Sequence, residues 1–108
     1  MSVIGSFTPT RDGGWAGTIR TLTIAVKVRF VPNDNRENDR APDFRVMAGR
    51  SVIGAAWRER TAGRTGDAPR AYLRVRLDDP TLPSPLFAAL FEGEDGRTAK
   101  LVWNRREG

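Results

Sequence analysis

The feature of this chain that most constrains its fold is a strict alternation of apolar and polar residues in several short runs. In residues 72–77 every second residue is aliphatic, namely Leu73, Val75 and Leu77. The intervening residues are one tyrosine and two arginines, namely Tyr72, Arg74 and Arg76. Because successive side chains of a β-strand point to opposite faces, this spacing predicts a strand with one apolar and one basic face.

The same alternation extends over residues 22–31, which we predict to form the longest strand. Its apolar positions are Leu22, Ile24, Val26, Val28 and Phe30. Lys27 and Arg29 fall between them, so this strand also presents basic side chains to solvent. One solvent-exposed polar face and one buried apolar face are typical of antiparallel sheets.

Turn residues divide the chain into further short extended runs. Asp12-Gly13-Gly14 is a strong hairpin signal, because glycine adopts the positive φ that tight turns require. The predicted strands are 3–8, 15–20, 22–31, 43–48, 51–60, 70–78, 86–92 and 98–104. Residues 86–92 also fit a short helix, and sheet pairing favours the strand. We therefore predict a single all-β domain over residues 1–108, an antiparallel curved sheet or small barrel of about seven or eight strands.

The three tryptophans are predicted to have different environments. Trp57 follows Gly54 and two alanines, which leave room for a large ring, and Trp103 shares the strand phase of Leu101. Both are predicted to lie in the core. Trp15 stands beside a hairpin, where core packing and a surface role as a base-stacking platform are equally consistent with the pattern.

The absence of cysteine and histidine excludes most familiar enzyme mechanisms. There is no thiolate nucleophile, no zinc–sulfur site and no histidine to act as general base. The adjacent carboxylates Asp78 and Asp79 are a possible Mg²⁺ site, but neighbouring strand residues point to opposite faces, and Pro80 favours a turn. We expect no catalytic residues, no metal and no cofactor, and no enzymatic activity.

The charge of the chain suggests an anionic partner. The net charge is +5, and 16 of the 18 basic residues are arginine, which pairs bidentately with phosphate and carboxylate. A compositional bias toward arginine at ordinary surface positions is the alternative explanation. The candidate nucleic-acid-binding residues, for single or double strands, are Lys27, Arg29, Tyr72, Arg74 and Arg76. An acidic protein partner is the competing interpretation.

The N-terminal residues predict no targeting to a membrane. They contain neither a basic segment nor a sustained apolar one, so they do not resemble a signal peptide. No apolar run approaches the length of a transmembrane helix. We expect a cytoplasmic protein without a membrane partner, whose oligomeric state the sequence leaves open.

Several segments together resemble the bacterial domain of unknown function 736 family. The matching stretches are residues 4–7, 17–19, 41–46, 54–57, 72–80 and 101–103. The resemblance spans nearly the whole chain and brings no catalytic residues. It implies a setting on plasmids and other mobile genetic elements, and so a small basic accessory protein that binds nucleic acid. A module that binds protein, as a regulator or inhibitor of a host enzyme, is the alternative.

Overall fold

The alternating segments of the sequence form antiparallel strands in a computed structural model that describes residues 2–34, 38–61, 70–93 and 95–103. Within these ranges the strands are β1 (Ser2–Pro9), β2 (Trp15–Arg20), β3 (Ala25–Pro32), β4 (Phe44–Ala48), β5 (Ser51–Arg60), β6 (Ala71–Leu77), β7 (Leu86–Glu92) and β8 (Ala99–Trp103). Residues 86–92 are strand, so the helical alternative is wrong. No helix that could cross a membrane occurs in this described part of the chain.

The eight strands close into a barrel in which each strand pairs with its neighbours in sequence. β8 pairs antiparallel with β1 through contacts such as Leu101 with Gly5 and Ala99 with Phe7. This up-and-down topology confirms the predicted all-β antiparallel fold and selects the barrel over the open curved sheet. Closure also gives every described strand two partners, which removes the unpaired edges that promote aggregation.

The inward-facing residues fill the barrel with a continuous apolar core. Its buried members are Phe7, Ile19, Val28, Phe30, Phe44, Val46, Ala56, Leu73, Val75, Leu77, Leu90, Ala99 and Leu101. Two of them, Phe7 and Phe30, meet edge to face with ring centroids 5.2 Å apart. None of the buried residues among those described is polar or charged. The interior is therefore held mainly by apolar burial and close packing.

Two inward-facing glycines allow neighbouring strands to approach closely. A Cβ atom on Gly17 would lie 2.0 Å from the carbonyl oxygen of Ser6. On Gly54 it would lie 2.1 Å from the carbonyl oxygen of Arg76. Both distances are far shorter than van der Waals contact, so any larger residue must displace the backbone of the adjacent strand.

The start of the predicted third strand is wrong. β3 begins at Ala25, and Leu22, which was expected on the apolar face, is fully exposed in the turn that precedes it. The side-chain oxygen of Thr21 accepts hydrogen bonds from the backbone N–H groups of Thr23 and Ile24. This local bonding stabilises a turn and ends the alternation before it reaches Leu22.

The tryptophans are also distributed differently from the prediction. Trp57 is partly buried on the outside of the barrel, because the fully buried Ala56 occupies the inward position beside it. Its indole Nε1 donates a hydrogen bond to the carbonyl oxygen of Arg40 at 3.0 Å. Trp15 packs against the core, whereas Trp103 is partly buried outside the core cluster. The prediction of a core position is thus wrong for Trp57 and Trp103.

The two ends of the barrel differ in character. At the end where β2 meets β3, partly buried apolar side chains such as Ile24, Ile53 and Leu82 pack onto the core around a smaller cavity of about 200 Å³, and we call this the apolar end. At the other end, where β1 meets β2, a cavity of about 590 Å³ opens to solvent. We call this the open end.

Candidate nucleic-acid interface

Three of the predicted binding residues lie together on the outer face of β6. Tyr72, Arg74 and Arg76 point outward, while the residues between them are buried in the core. The side chains of Arg74 and Arg76 are each 47% exposed. The alternation in residues 72–77 therefore correctly predicted which side chains face solvent and which face the core.

The neighbouring strands add aromatic rings to these arginines. The guanidinium carbon of Arg74 lies 4.6 Å from the ring centroid of Trp57 on β5. Tyr72 stacks on Phe91 of β7 with centroids 5.2 Å apart and an interplanar angle of 24°. Arg70, just before β6, places its guanidinium carbon 4.9 Å from the Phe91 ring.

We call this surface the outer patch and define it by Trp57, Arg70, Tyr72, Arg74, Arg76 and Phe91. Sequence reasoning missed three of these residues, namely Trp57, Arg70 and Phe91. Their outward phase follows from the alternation once the buried residues are known, but their proximity to β6 depends on strand pairing. Positive groups over aromatic faces are attracted to the ring quadrupole, so Arg70 and Arg74 are held in defined positions.

Two acidic side chains moderate the charge of the outer patch. Glu59 Oε1 lies 3.2 Å from Arg74 Nε, and Asp78 Oδ2 lies 3.5 Å from Arg76 Nη2. Both pairs are roughly half exposed, and ion pairs in such positions contribute only about 0–1 kcal/mol. A phosphate can therefore replace either carboxylate at little energetic cost.

The other two predicted residues, Lys27 and Arg29, lie elsewhere on the barrel. They point outward from β3, and Arg29 Nη2 donates to the carbonyl oxygen of Gly49 at 3.3 Å. β4 and β5 separate β3 from β6, which corresponds to about 14 Å along the curved surface. The five predicted residues therefore form two clusters on the convex outside of the barrel instead of one basic face.

The carboxylates of Asp78 and Asp79 have separate structural partners. Asp79 accepts hydrogen bonds from the hydroxyl and the backbone N–H of Thr81, and Asp78 pairs with Arg76. This arrangement supports the predicted turn role. Within the described ranges no three acidic residues are grouped in a way that could hold a metal ion. The hydrogen bonds from Thr81 hold the pKa of Asp79 below its usual value of 3.8.

This lowered pKa predicts an acid-dependent contribution of Asp79 to stability. Because the folded-state pKa is depressed, the contribution is complete above about pH 5 and is lost as the pH falls through the folded value. We expect thermal denaturation to show wild type more stable than Asp79→Asn near neutral pH, with the difference shrinking in acid. Asp12 and Asp95 also have lowered pKa values but are common to both proteins. A difference that stayed constant down to low pH would contradict the role assigned to this carboxylate.

Comparison with known proteins identifies one family. A family model described as "Protein of unknown function (DUF736)" matches residues 3–106, which is nearly the whole chain. No curated protein and no solved structure matches this chain.

Proposed function

This chain belongs to the DUF736 family, and we propose that it binds nucleic acid, preferentially single strands, through the outer patch. The observation that carries the proposal is the interleaving of three exposed arginines with aromatic rings on β5–β7. We propose that the protein binds nucleic acid as an accessory protein of a mobile genetic element.

The chemistry of the outer patch fits a phosphate backbone with unstacked bases. Arg70, Arg74 and Arg76 leave the same face of the barrel, and guanidinium groups pair bidentately with phosphate oxygens. Tyr72 is covered on one side by Phe91, so a base would stack on its other face. Base–aromatic stacking contributes about 1–3 kcal/mol and is open only to bases that are not already stacked in a duplex.

Fluorescence anisotropy with labelled single-stranded and duplex oligonucleotides, at several salt concentrations, tests the proposal. Three phosphate contacts on a single strand predict a log–log salt slope of roughly −2. The double variant Arg74→Gln/Arg76→Gln is expected to flatten this slope by roughly 1.4 and to leave thermal stability nearly unchanged. Tyr72→Ala is expected to weaken single-strand binding more than duplex binding.

Two further variants and a matched control sharpen the test. Glu59→Gln removes the carboxylate that competes for Arg74 and is expected to strengthen binding. The double variant Lys27→Gln/Arg29→Gln reports whether the nucleic acid also reaches β3. If it does, the wild-type salt slope approaches roughly −3.5 and this variant flattens it. Arg58→Gln is the matched control, because that arginine lines the open end and is not part of the outer patch.

The outcome that overturns the proposal is the absence of binding by wild type at low salt. A protein partner would then be the better explanation of the outer patch. One observation favours that second candidate: Phe87, which pairs with Arg76 in register, is 37% exposed and enlarges the apolar part of this surface. Acidic side chains of a partner would then replace Glu59 and Asp78 as the companions of the arginines.

A further inference from the structure

The cavity at the open end carries two arginines at inward-facing positions of β5. Ala56 is fully buried, so Arg58 and Arg60 lie on the same side of the strand as the core. Their partners on β6 agree with this, since Arg58 pairs with the buried Leu73, and Arg60 pairs with Ala71, an exposed residue that lines the same cavity. The inward positions of β5 thus carry apolar residues along most of the strand and arginines at its C-terminal end.

The base of this cavity is apolar and partly aromatic. It is formed by buried side chains that include Phe44, Leu73 and Leu90, and Trp15 lines the wall. Below this layer the barrel is filled, since Phe7, Phe30 and other large side chains are fully buried there. The cavity is therefore a shallow depression at the end of the barrel and does not continue as a channel. Its shape suits a compact ligand better than an extended polymer. Barrels of this strand number often bind one small ligand at the mouth.

Among residues 2–34, 38–61, 70–93 and 95–103, the acidic contact of these two arginines is made by the backbone: the N–H of Arg58 donates to Asp43 Oδ2 at 2.8 Å. The guanidinium carbon of Arg58 lies 5.4 Å from the ring centroid of Phe44, and neither Arg58 nor Arg60 forms an ion pair with another described residue. Arg74 and Arg76 of the outer patch, by contrast, each have one. The cavity thus combines two arginines outside ion pairs with the carboxylates of Glu59 and Glu92 and with the aromatic ring of Trp15. Glu92 on β7 also lines it and supplies a hydrogen-bond acceptor.

We propose that the open end binds a compact ligand in which a flat ring is joined to an anionic group, of the nucleoside monophosphate class. The phosphate pairs with Arg58 and Arg60, whose planar donors match its oxygens. The ring packs against Trp15 on the wall of the cavity, and Glu92 accepts a hydrogen bond from a hydroxyl or amino group. This site lies at the end of the barrel and the outer patch on its side, and Tyr72 and Glu59 border both. Arg58 and Arg60 belong to the cavity alone and Arg74 and Arg76 to the outer patch alone, so variants of these arginines test the two proposals separately.

Titration of ¹⁵N-labelled protein with AMP or UMP, followed by two-dimensional NMR, tests this inference. We expect saturable shifts of the Trp15 indole and of amides at the ends of β5 and β6 that face the cavity. Adenosine and inorganic phosphate, titrated alone, are expected to bind more weakly than AMP. Arg58→Gln and Arg60→Gln are each expected to weaken AMP binding by about tenfold, since hydrogen bonds to charged groups contribute at least that much.

Arg74→Gln is the matched control for Arg58→Gln. Both arginines lie over an aromatic ring, but Arg74 does so outside the barrel, so its loss is expected to leave AMP affinity unchanged. The inference is overturned if neither nucleotide gives saturable shifts at the mouth, if the shifts map only to the outer patch, or if phosphate alone binds as tightly as AMP. A folded Arg58→Gln/Arg60→Gln protein with wild-type affinity would overturn it as well.

Discussion

Truncation of Phe30 to alanine is expected to lower the free energy of unfolding by about 3–5 kcal/mol, which is the usual cost of removing a buried aromatic side chain. Phe30 is only 1% exposed and contacts Phe7 edge to face inside the barrel. Side chains from many strands converge there, so the surrounding structure has little freedom to collapse into the space. Urea denaturation followed by circular dichroism measures the effect.

Phe87→Ala is the matched control for this substitution. The same ring is removed, but from the outer face of β7, where Phe87 is 37% exposed. Substitutions at such surface positions usually change stability by about 0.5 kcal/mol or less, and the partial burial of Phe87 adds modestly to that. Equal losses for the two variants would mean that the interior of the barrel is not the main source of its stability.

The second large effect is expected for Gly54→Ala, a substitution that adds a single methyl group. The new Cβ atom would lie 2.1 Å from the carbonyl oxygen of Arg76 and 3.0 Å from the Cα of Leu77. Both are backbone atoms of β6, so no side-chain rotation relieves the clash and the two strands must separate. We expect a loss of about 2–3 kcal/mol, at the upper end for overpacking, measured by the same denaturation.

Gly49→Ala separates this steric effect from the conformational preference of glycine. Gly49 has a φ of 62°, and no atom of the described residues lies within 4 Å of its ideal Cβ, so alanine there meets only the cost of a left-handed backbone, about 1 kcal/mol. If Gly54→Ala were no more destabilising than Gly49→Ala, the close approach of β5 and β6 would not be a requirement of the fold.

The two proposed sites use opposite faces of the same strand. On β5, Trp57 and Glu59 point outward to the outer patch, and Arg58 and Arg60 point toward the open end. Both sets of side chains are therefore positioned by one paired strand instead of by loops, which favours precise placement. The alternation lets a substitution of Arg58 or Arg60 leave the outer patch in place, whereas Glu59 borders both surfaces.

Much of the architecture could be predicted because alternation is a local property of a strand. The outward direction of Arg74 and Arg76 needed only the aliphatic residues between them, and the bounds of β2, β5 and β7 agreed with the turn and alternation signals. The resemblance of short segments to a family was likewise readable from the chain, and the family match over residues 3–106 confirms it.

Local alternation misled where another interaction was stronger. A turn held by the Thr21 side chain removed Leu22 from the strand, and the inward position of Ala56 forced the much larger Trp57 outside. In both cases the residue type suggested burial. Backbone hydrogen bonding in the first case, and strand phase in the second, outweighed that preference.

The sequence by itself therefore determined which segments are strands. For most of these strands it also determined which side chains face solvent. Tertiary structure alone decided that the sheet closes, that Lys27 and Arg29 lie two strands away from the outer patch, and that Arg58, Arg60 and Trp15 line one cavity at the open end. The physical reason is that these placements depend on the pairing register of segments distant in sequence. That register is set by hydrogen bonding and packing around the whole barrel, which no local pattern encodes.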